Sequence, residues 1–127
     1  MIDQSYLPLF VITLTPVEGT GGTDSLNFVP PVGELWIIHH AFASHDDVAA
    51  KNVQWGWVDT RTGVTGILCA VIATNPLVAR YFFTDTGITP TRPADNFSYP
   101  KAAIAGLAAG KFLSGWALVT RIRGVKP

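Results

Sequence analysis

The sequence predicts an all-β fold: one single-domain jelly-roll or Greek-key β-sandwich of about seven to eight strands over residues 1–127. Three observations lead there. Twelve glycines and nine prolines recur along the whole chain and leave only short runs rich in Val, Ile, Thr and aromatic residues. Asn52 to Thr60 alternates, with Val53, Trp55 and Trp57 on one side and Asn52, Gln54, Gly56 and Val58 on the other. That is the two-residue period of a strand with one buried face. Finally, the turn Val29-Pro30-Pro31-Val32-Gly33 runs straight into a bulky, β-prone segment from Glu34 to about Ser44. Proline and glycine there fix where the strand starts.

The elements follow in order. Leu9 to Thr15 reads as the first strand, ended by Thr15-Pro16 because proline cannot continue a central ladder. Glu18 to Asp24, with Gly19, Gly21 and Gly22, reads as a loop, and Leu26 to Val29 as a short strand. After the Glu34 strand, His45-Asp46-Asp47 reads as a loop. The polar connection Asp59-Thr60-Arg61-Thr62-Gly63 joins the Asn52 strand to Val64–Ala73 as a hairpin. This second arm is apolar at both parities, the mark of a central, covered strand. Leu77 to Thr84 is a further strand candidate, and Asp85 to Pro100 reads as a long irregular segment of the kind often used for interaction. The alanines of Lys101–Gly110 permit a short helix, against Gly106 and Gly110. Phe112 to Arg123 closes the fold, with Trp116, Leu118, Thr120 and Ile122 on one side and Ala117, Val119 and Arg121 on the other. The four tryptophans and seven phenylalanines are expected between the sheets.

A chain of 127 residues is long enough to bury a core. Nine basic and nine acidic side chains cancel, which leaves no general attraction to nucleic acid or to an anionic membrane. Charged residues make up only 14%, where about a quarter is usual. A neutral, charge-poor chain is poorly soluble by itself, so much of its surface is expected to face protein, in a homo-oligomer or a larger assembly. Cys69 is the single cysteine, which excludes an intrachain disulfide. No apolar run reaches a membrane span, and Met1 to Tyr6 lacks the pattern of a signal peptide. The expected place of synthesis is therefore a cytoplasm, and Asn96-Phe97-Ser98 matches a glycosylation sequon by chance.

His39, His40 and His45, with Asp46 and Asp47, form the one candidate metal cluster. Neighbours on a strand point to opposite faces, so parity groups His39 with Ala41 and Ala43, and His40 with Trp36, Ile38 and Phe42. Gly33 and His39 have the spacing of the first cupin motif, but Ala41 stands where that motif needs its second histidine, and no histidine follows His45. Cys69 has apolar neighbours, unlike an activated thiolate. Gly19-Thr20-Gly21-Gly22-Thr23 has no lysine where a phosphate loop carries one. No serine lies in a nucleophile elbow. The carboxylates Asp24, Glu34, Asp46, Asp47, Asp59, Asp85 and Asp95 show no pair that must converge. No catalytic, cofactor-binding or metal-binding residue is assigned. Trp55 and Trp57 would make a carbohydrate-stacking platform if their strand face were open. Arg121, Arg123 and Lys126 give a small basic C-terminus.

Pro31-Val32-Gly33-Glu34-Leu35-Trp36-Ile37-Ile38 resembles the proline-glycine-tryptophan lead-in to a strand in small β-sandwich proteins of tailed bacteriophages, several of them capsid decoration (cement) proteins. In that pattern an acidic loop and an alanine-asparagine-basic step precede an alternating strand. Asp46-Asp47-Val48-Ala49-Ala50-Lys51-Asn52 takes that place, with the basic residue and asparagine in reverse order. The resemblance implies a non-enzymatic virion protein with a jelly-roll fold. It would self-associate as a dimer or trimer and sit on the capsid surface against the major capsid protein. A carbohydrate- or receptor-binding virion module is the alternative, and a cupin-like metal enzyme the third reading.

Overall fold

The computed structural model describes residues 9–88 and 93–124. Among these, eleven strands and one short helix form: β1 (Leu9–Thr13), β2 (Val17–Glu18), β3 (Thr23–Asn27), β4 (Glu34–His45), β5 (Lys51–Asp59), β6 (Val64–Ile67), β7 (Ile72–Thr74), β8 (Arg80–Tyr81), α1 (Phe82–Thr86), β9 (Pro93–Ala94), β10 (Ser98–Ala105) and β11 (Phe112–Arg123). They build two antiparallel sheets packed face to face. One runs β1-β11-β4-β8, with β2 also on β11 and β9 also on β4. The other runs β3-β10-β5-β6, with β7 also on β5. The predicted all-β sandwich is the fold.

Three of the strand positions are split in two. The short strands β1 and β2 follow one another along β11, β6 and β7 along β5, and β8 and β9 along β4. Merging each pair leaves four strands per sheet. First pairs with last, second with seventh, third with sixth and fourth with fifth, as in one long paired ribbon wound into two layers.

The layers divide the core unequally. Sheet β3-β10-β5-β6 sends in Leu26, Val53, Trp55, Trp57 and Ile104, joined by Phe28 and Phe82. Opposite them, the middle of β4 and β11 sends in Ala41, Ala43, Gly115 and Ala117. A side chain at Gly115 would collide with the Phe42 carbonyl and the Leu26 methyl and press on Phe28. Small residues on one sheet thus make room for large ones on the other. Of the four tryptophans, three lie inside, and Trp116 lies on the outside of its sheet, beside Phe42. Phe10 and Phe112 are likewise partly exposed. The expectation that all these rings fill the interior is corrected accordingly.

Other expectations change. Lys101–Gly110 is not helical: β10 occupies Ser98–Ala105, with Pro100, Ala102 and Ile104 buried in alternation, and strands β3 and β5 bond both its edges. Tertiary pairing overrides the alanine preference. The same strand takes residues 98–100 from the end of the predicted irregular segment, which also contains the end of α1, and β9. Leu77–Thr84 is a strand only at β8: a turn at Leu77 precedes it, and α1, closed by Gly87 in the left-handed conformation, follows at once. Val64–Ala73 breaks into β6 and β7, and β6 is an edge strand with all four residues exposed, not a covered one. His45 ends β4 and is buried, not in a loop. Lys126 lies outside the described residues. No helix among the described residues is long and apolar enough to cross a membrane.

Candidate functional site: an uncharged aromatic sheet face

The histidines come first, because sequence parity is overturned there. In the β4–β11 ladder, Leu118 pairs with His40 and Val119 with Ile38, so His39 is an extra residue, a β-bulge. The bulge shifts the alternation by one. Trp36 and Ile38 before it, and Ala41, Ala43 and His45 after it, all face the core. His40 and Phe42 face outward with their partners Leu118 and Trp116. His39 Nε2 lies 2.7 Å from Thr120 Oγ1, and Thr120 shares the parity of Leu118 and Trp116. The two histidines are therefore not split between faces. Ala41, at the missing cupin ligand, is buried in the core.

His45 has a structural job. Its Nε2 lies 2.7 Å from the Thr74 carbonyl, and the Asp47 backbone N–H donates to its Nδ1 at 3.2 Å. A carbonyl only accepts and an N–H only donates, so these partners fix the neutral Nε2–H tautomer. Asp47 accepts from the backbone N–H groups of Ala108 (3.0 Å) and Ala49 (3.4 Å), with Lys51 Nζ at 3.7 Å. The Ala108 bond, with help from Ala49 and Lys51, holds the Asp47 carboxyl below the usual carboxylate range. These contacts tie the β4–β5 connection to the β10–β11 turn. Among the described residues no group of three or more His, Cys, Asp and Glu is placed to hold a metal ion.

The remaining candidates resolve in the same way. Trp55 is 0% and Trp57 8% exposed, so no sugar can stack on them. Their ring N–H groups donate inside the protein, to Asp85 and to Ser98. Asp85 also takes Arg80 at 2.8 Å. Cys69 Sγ accepts the Trp55 backbone N–H at 3.4 Å. Thr20 and Asp24 bond each other across the glycine loop. The Pro31–Trp36 lead-in is a clamp. Gly33 turns with a φ of 85°, Arg121 forks onto Glu34 at 2.7 and 3.0 Å, and Trp36 Nε1 donates to the same carboxylate at 3.3 Å. Arg121 holds the Glu34 carboxyl below its ordinary range.

The arrangement that stands out is one the sequence reading missed. Directly paired residues share a sheet face, so register alone assembles the outer surface of β1-β11-β4-β8. Tyr81, Phe42, Trp116 and Thr13 form one row across four strands. His40, Leu118 and Val11 form the next, and Ile37, Thr120 and Leu9 a third beyond the bulge. Trp116 lies edge-on to Phe42 with centroids 4.8 Å apart, while His40 sits 5.3 Å from Trp116 and 5.4 Å from Tyr81. None of these residues is Asp, Glu, Lys or Arg. Exposure reaches 64% at Val11, 57% at Leu9 and 43% at Tyr81. The charges gather instead at strand ends and loops, in pairs such as Glu34–Arg121, Asp47–Lys51 and Arg61–Asp95. The signal that could have revealed this face was the run of small residues at Gly115 and Ala117. They claim the inner side of β11 and leave the outer side to Trp116 and Leu118.

No family model matches the chain, and comparison with curated proteins and with solved structures finds no match.

Proposed function

We propose that this chain is a non-enzymatic virion structural protein, a capsid decoration or cement protein that stabilises a tailed-phage head through contacts with the major capsid protein. The uncharged aromatic face carries the reading. Apolar surface of this kind, exposed at Leu9, Val11 and Tyr81 and partly exposed at Phe42, Trp116 and Leu118, marks protein contact, and its paired rows carry no fixed charge for recognising nucleic acid. The ribbon-like strand pairing supports the jelly roll that the phage resemblance implies, and the Gly33–Glu34–Trp36 clamp suits a motif that builds scaffold. Such a protein would act at the capsid surface after synthesis in the host cytoplasm. Its many copies would add small interface energies by multivalency.

The test is cosedimentation of the purified chain with mature phage shells, followed by thermal melting of the shells. Bound chain and a raised shell melting temperature are expected; a chain left in the supernatant overturns the proposal. A receptor- or glycan-binding virion module is the second reading, favoured by the half-exposed ring of Tyr81 beside His40 and Phe42. Glycan-array binding that is lost in Trp116→Ala and Tyr81→Ala would select it.

A further inference from the structure

We propose that the cavity beside Phe112 binds an arginine side chain presented by a partner protein. The proposal rests on the virion reading only for which protein brings the arginine.

The site lies at one end of β11, beyond Trp116. Leu113 points into the core, so Phe112 and Ser114 face outward on the same side as Trp116. Phe112, Ser114, Asp46, Thr15 and Pro16 line a cavity of about 480 Å³, within the size of small-ligand pockets. The Phe112 ring is 36% exposed there. Asp46 is held beside it because its Oδ1 accepts the Phe112 backbone N–H at 2.7 Å. On the other flank, Glu18 pairs directly with Phe112 and shares its sheet face. Two exposed carboxylates thus stand on either side of one ring. Among the described residues neither has an ion pair, and Lys111, next to Phe112 in sequence, bridges to neither.

The chain itself shows what suits such a set. At Phe97, the Asp95 Oδ1 accepts the Phe97 backbone N–H at 2.8 Å. The Asp95 Oδ2 takes Arg61 Nη2 at 3.1 Å, and the Arg61 guanidinium lies 4.6 Å from the Phe97 ring centroid. At Phe10, the Arg121 guanidinium lies 5.0 Å from the ring while it forks onto Glu34. In both places the ring face and the carboxylate attract one cation together. Phe112 and Asp46 repeat the Phe97–Asp95 arrangement down to the same backbone bond, now across paired strands. No arginine among the described residues lies on them, so the arginine they suit comes from another protein. Arginine fits better than lysine, because a planar guanidinium stacks on a ring and still directs donors to carboxylates beside it, whereas an ammonium is a point charge. One such anchor at the end of an uncharged aromatic face fixes the register in which the partner docks.

NMR titration of the full chain with N-acetyl-arginine amide, at fixed ionic strength and up to about 100 mM, captures dissociation constants of tens of millimolar or tighter. Saturable shifts centred on Asp46, Phe112 and Ser114 are expected. Binding should weaken at least tenfold in the double variant Glu18→Gln with Asp46→Asn, where asparagine keeps the oxygen that accepts the Phe112 N–H. Should that variant fail to fold, Phe112→Leu replaces it, removing the ring and keeping apolar bulk. Absence of saturable shifts at these residues, a variant that binds like wild type, or equal binding of N-acetyl-lysine amide overturns the proposal. The double variant should also cosediment with mature phage shells at least tenfold more weakly than wild type, and equal cosedimentation overturns the partner's arginine. A wild type that binds the arginine probe but ignores the shells supports the arginine site and refutes the virion reading.

Discussion

The two outer faces of the sandwich are made by the same ribbon yet differ in kind. Across β3-β10-β5-β6, the register lines up Ser25, Ala103 and Gln54, then Asn27, Lys101, Gly56 and Ile67. These are mostly amides, hydroxyls and small residues around one lysine, with Ile67 exposed at the edge. Across β1-β11-β4-β8 stand Tyr81, Phe42, Trp116, His40, Leu118 and Val11, with no charge. The difference begins inside. Trp55 and Phe28 occupy the middle of the core from one sheet, so the other can place only alanine and glycine against them. At that level its bulky residues, Phe42 and Trp116, lie on the outer side, while Trp36, Ile38, Leu113 and Val119 fill the two ends of the inner side. Folding explains the inner asymmetry; the proposed contact with another protein would account for an outer face that is apolar and not simply polar.

The largest predicted effect tests the shared interior. Trp55→Ala is expected to cost about 3–5 kcal/mol, read as a lower urea midpoint in one transition that melts both sheets together. Two glycines sharpen the contrast. Gly115→Ala forces a methyl against the Phe42 carbonyl and Leu26, and should cost about 1–3 kcal/mol in thermal melting. Gly66→Ala, on the open β6 edge, meets only the Trp57 carbonyl at 3.9 Å and should change stability by less than about 0.5 kcal/mol. Arg121→Met, which breaks the fork onto Glu34, should lower the thermal melting midpoint.

Acid should act through the carboxyls at the ends of the first sheet. Glu34 and Asp47 both sit below their ordinary pKa in the folded protein. The unfolded chain therefore binds their protons at a higher pH than the folded one does. Their stabilisation is complete above the ordinary carboxylate range near pH 4, and is lost as pH falls through the lower folded values. Denaturant midpoints measured downward from pH 6 should drop at the acid end, and less so in Glu34→Gln and Asp47→Asn, which start weaker.

Much of this was legible in the sequence, and the failures have physical causes. The alternation of Val53, Trp55 and Trp57 gave both the strand and its buried side, since a covered face leaves a two-residue trace. The Phe112–Arg123 strand was legible for the same reason. The bulge at His39 was not. One extra residue leaves no mark in composition, yet it moved Trp36 and Ile38 to the side of Ala41 and hid the aromatic face. Ala102, Ala103 and Ile104 looked helical because alanine records local preference and not the neighbouring strands. Val64–Ile67 looked covered because an edge strand and a central strand can have equally apolar sequences.

Hydroxyl-radical footprinting with and without mature phage shells tests the central claim most directly, because aromatic reporters lie on both outer faces. Tyr81, Phe42 and Trp116 mark one, and Tyr99, paired with Val58, marks the other. When shells are added, oxidation of Tyr81, Phe42 and Trp116 should fall together while that of Tyr99 stays constant. Oxidation unchanged by shells on both faces, or protection confined to Tyr99, would contradict the assignment of the uncharged aromatic face as the contact surface.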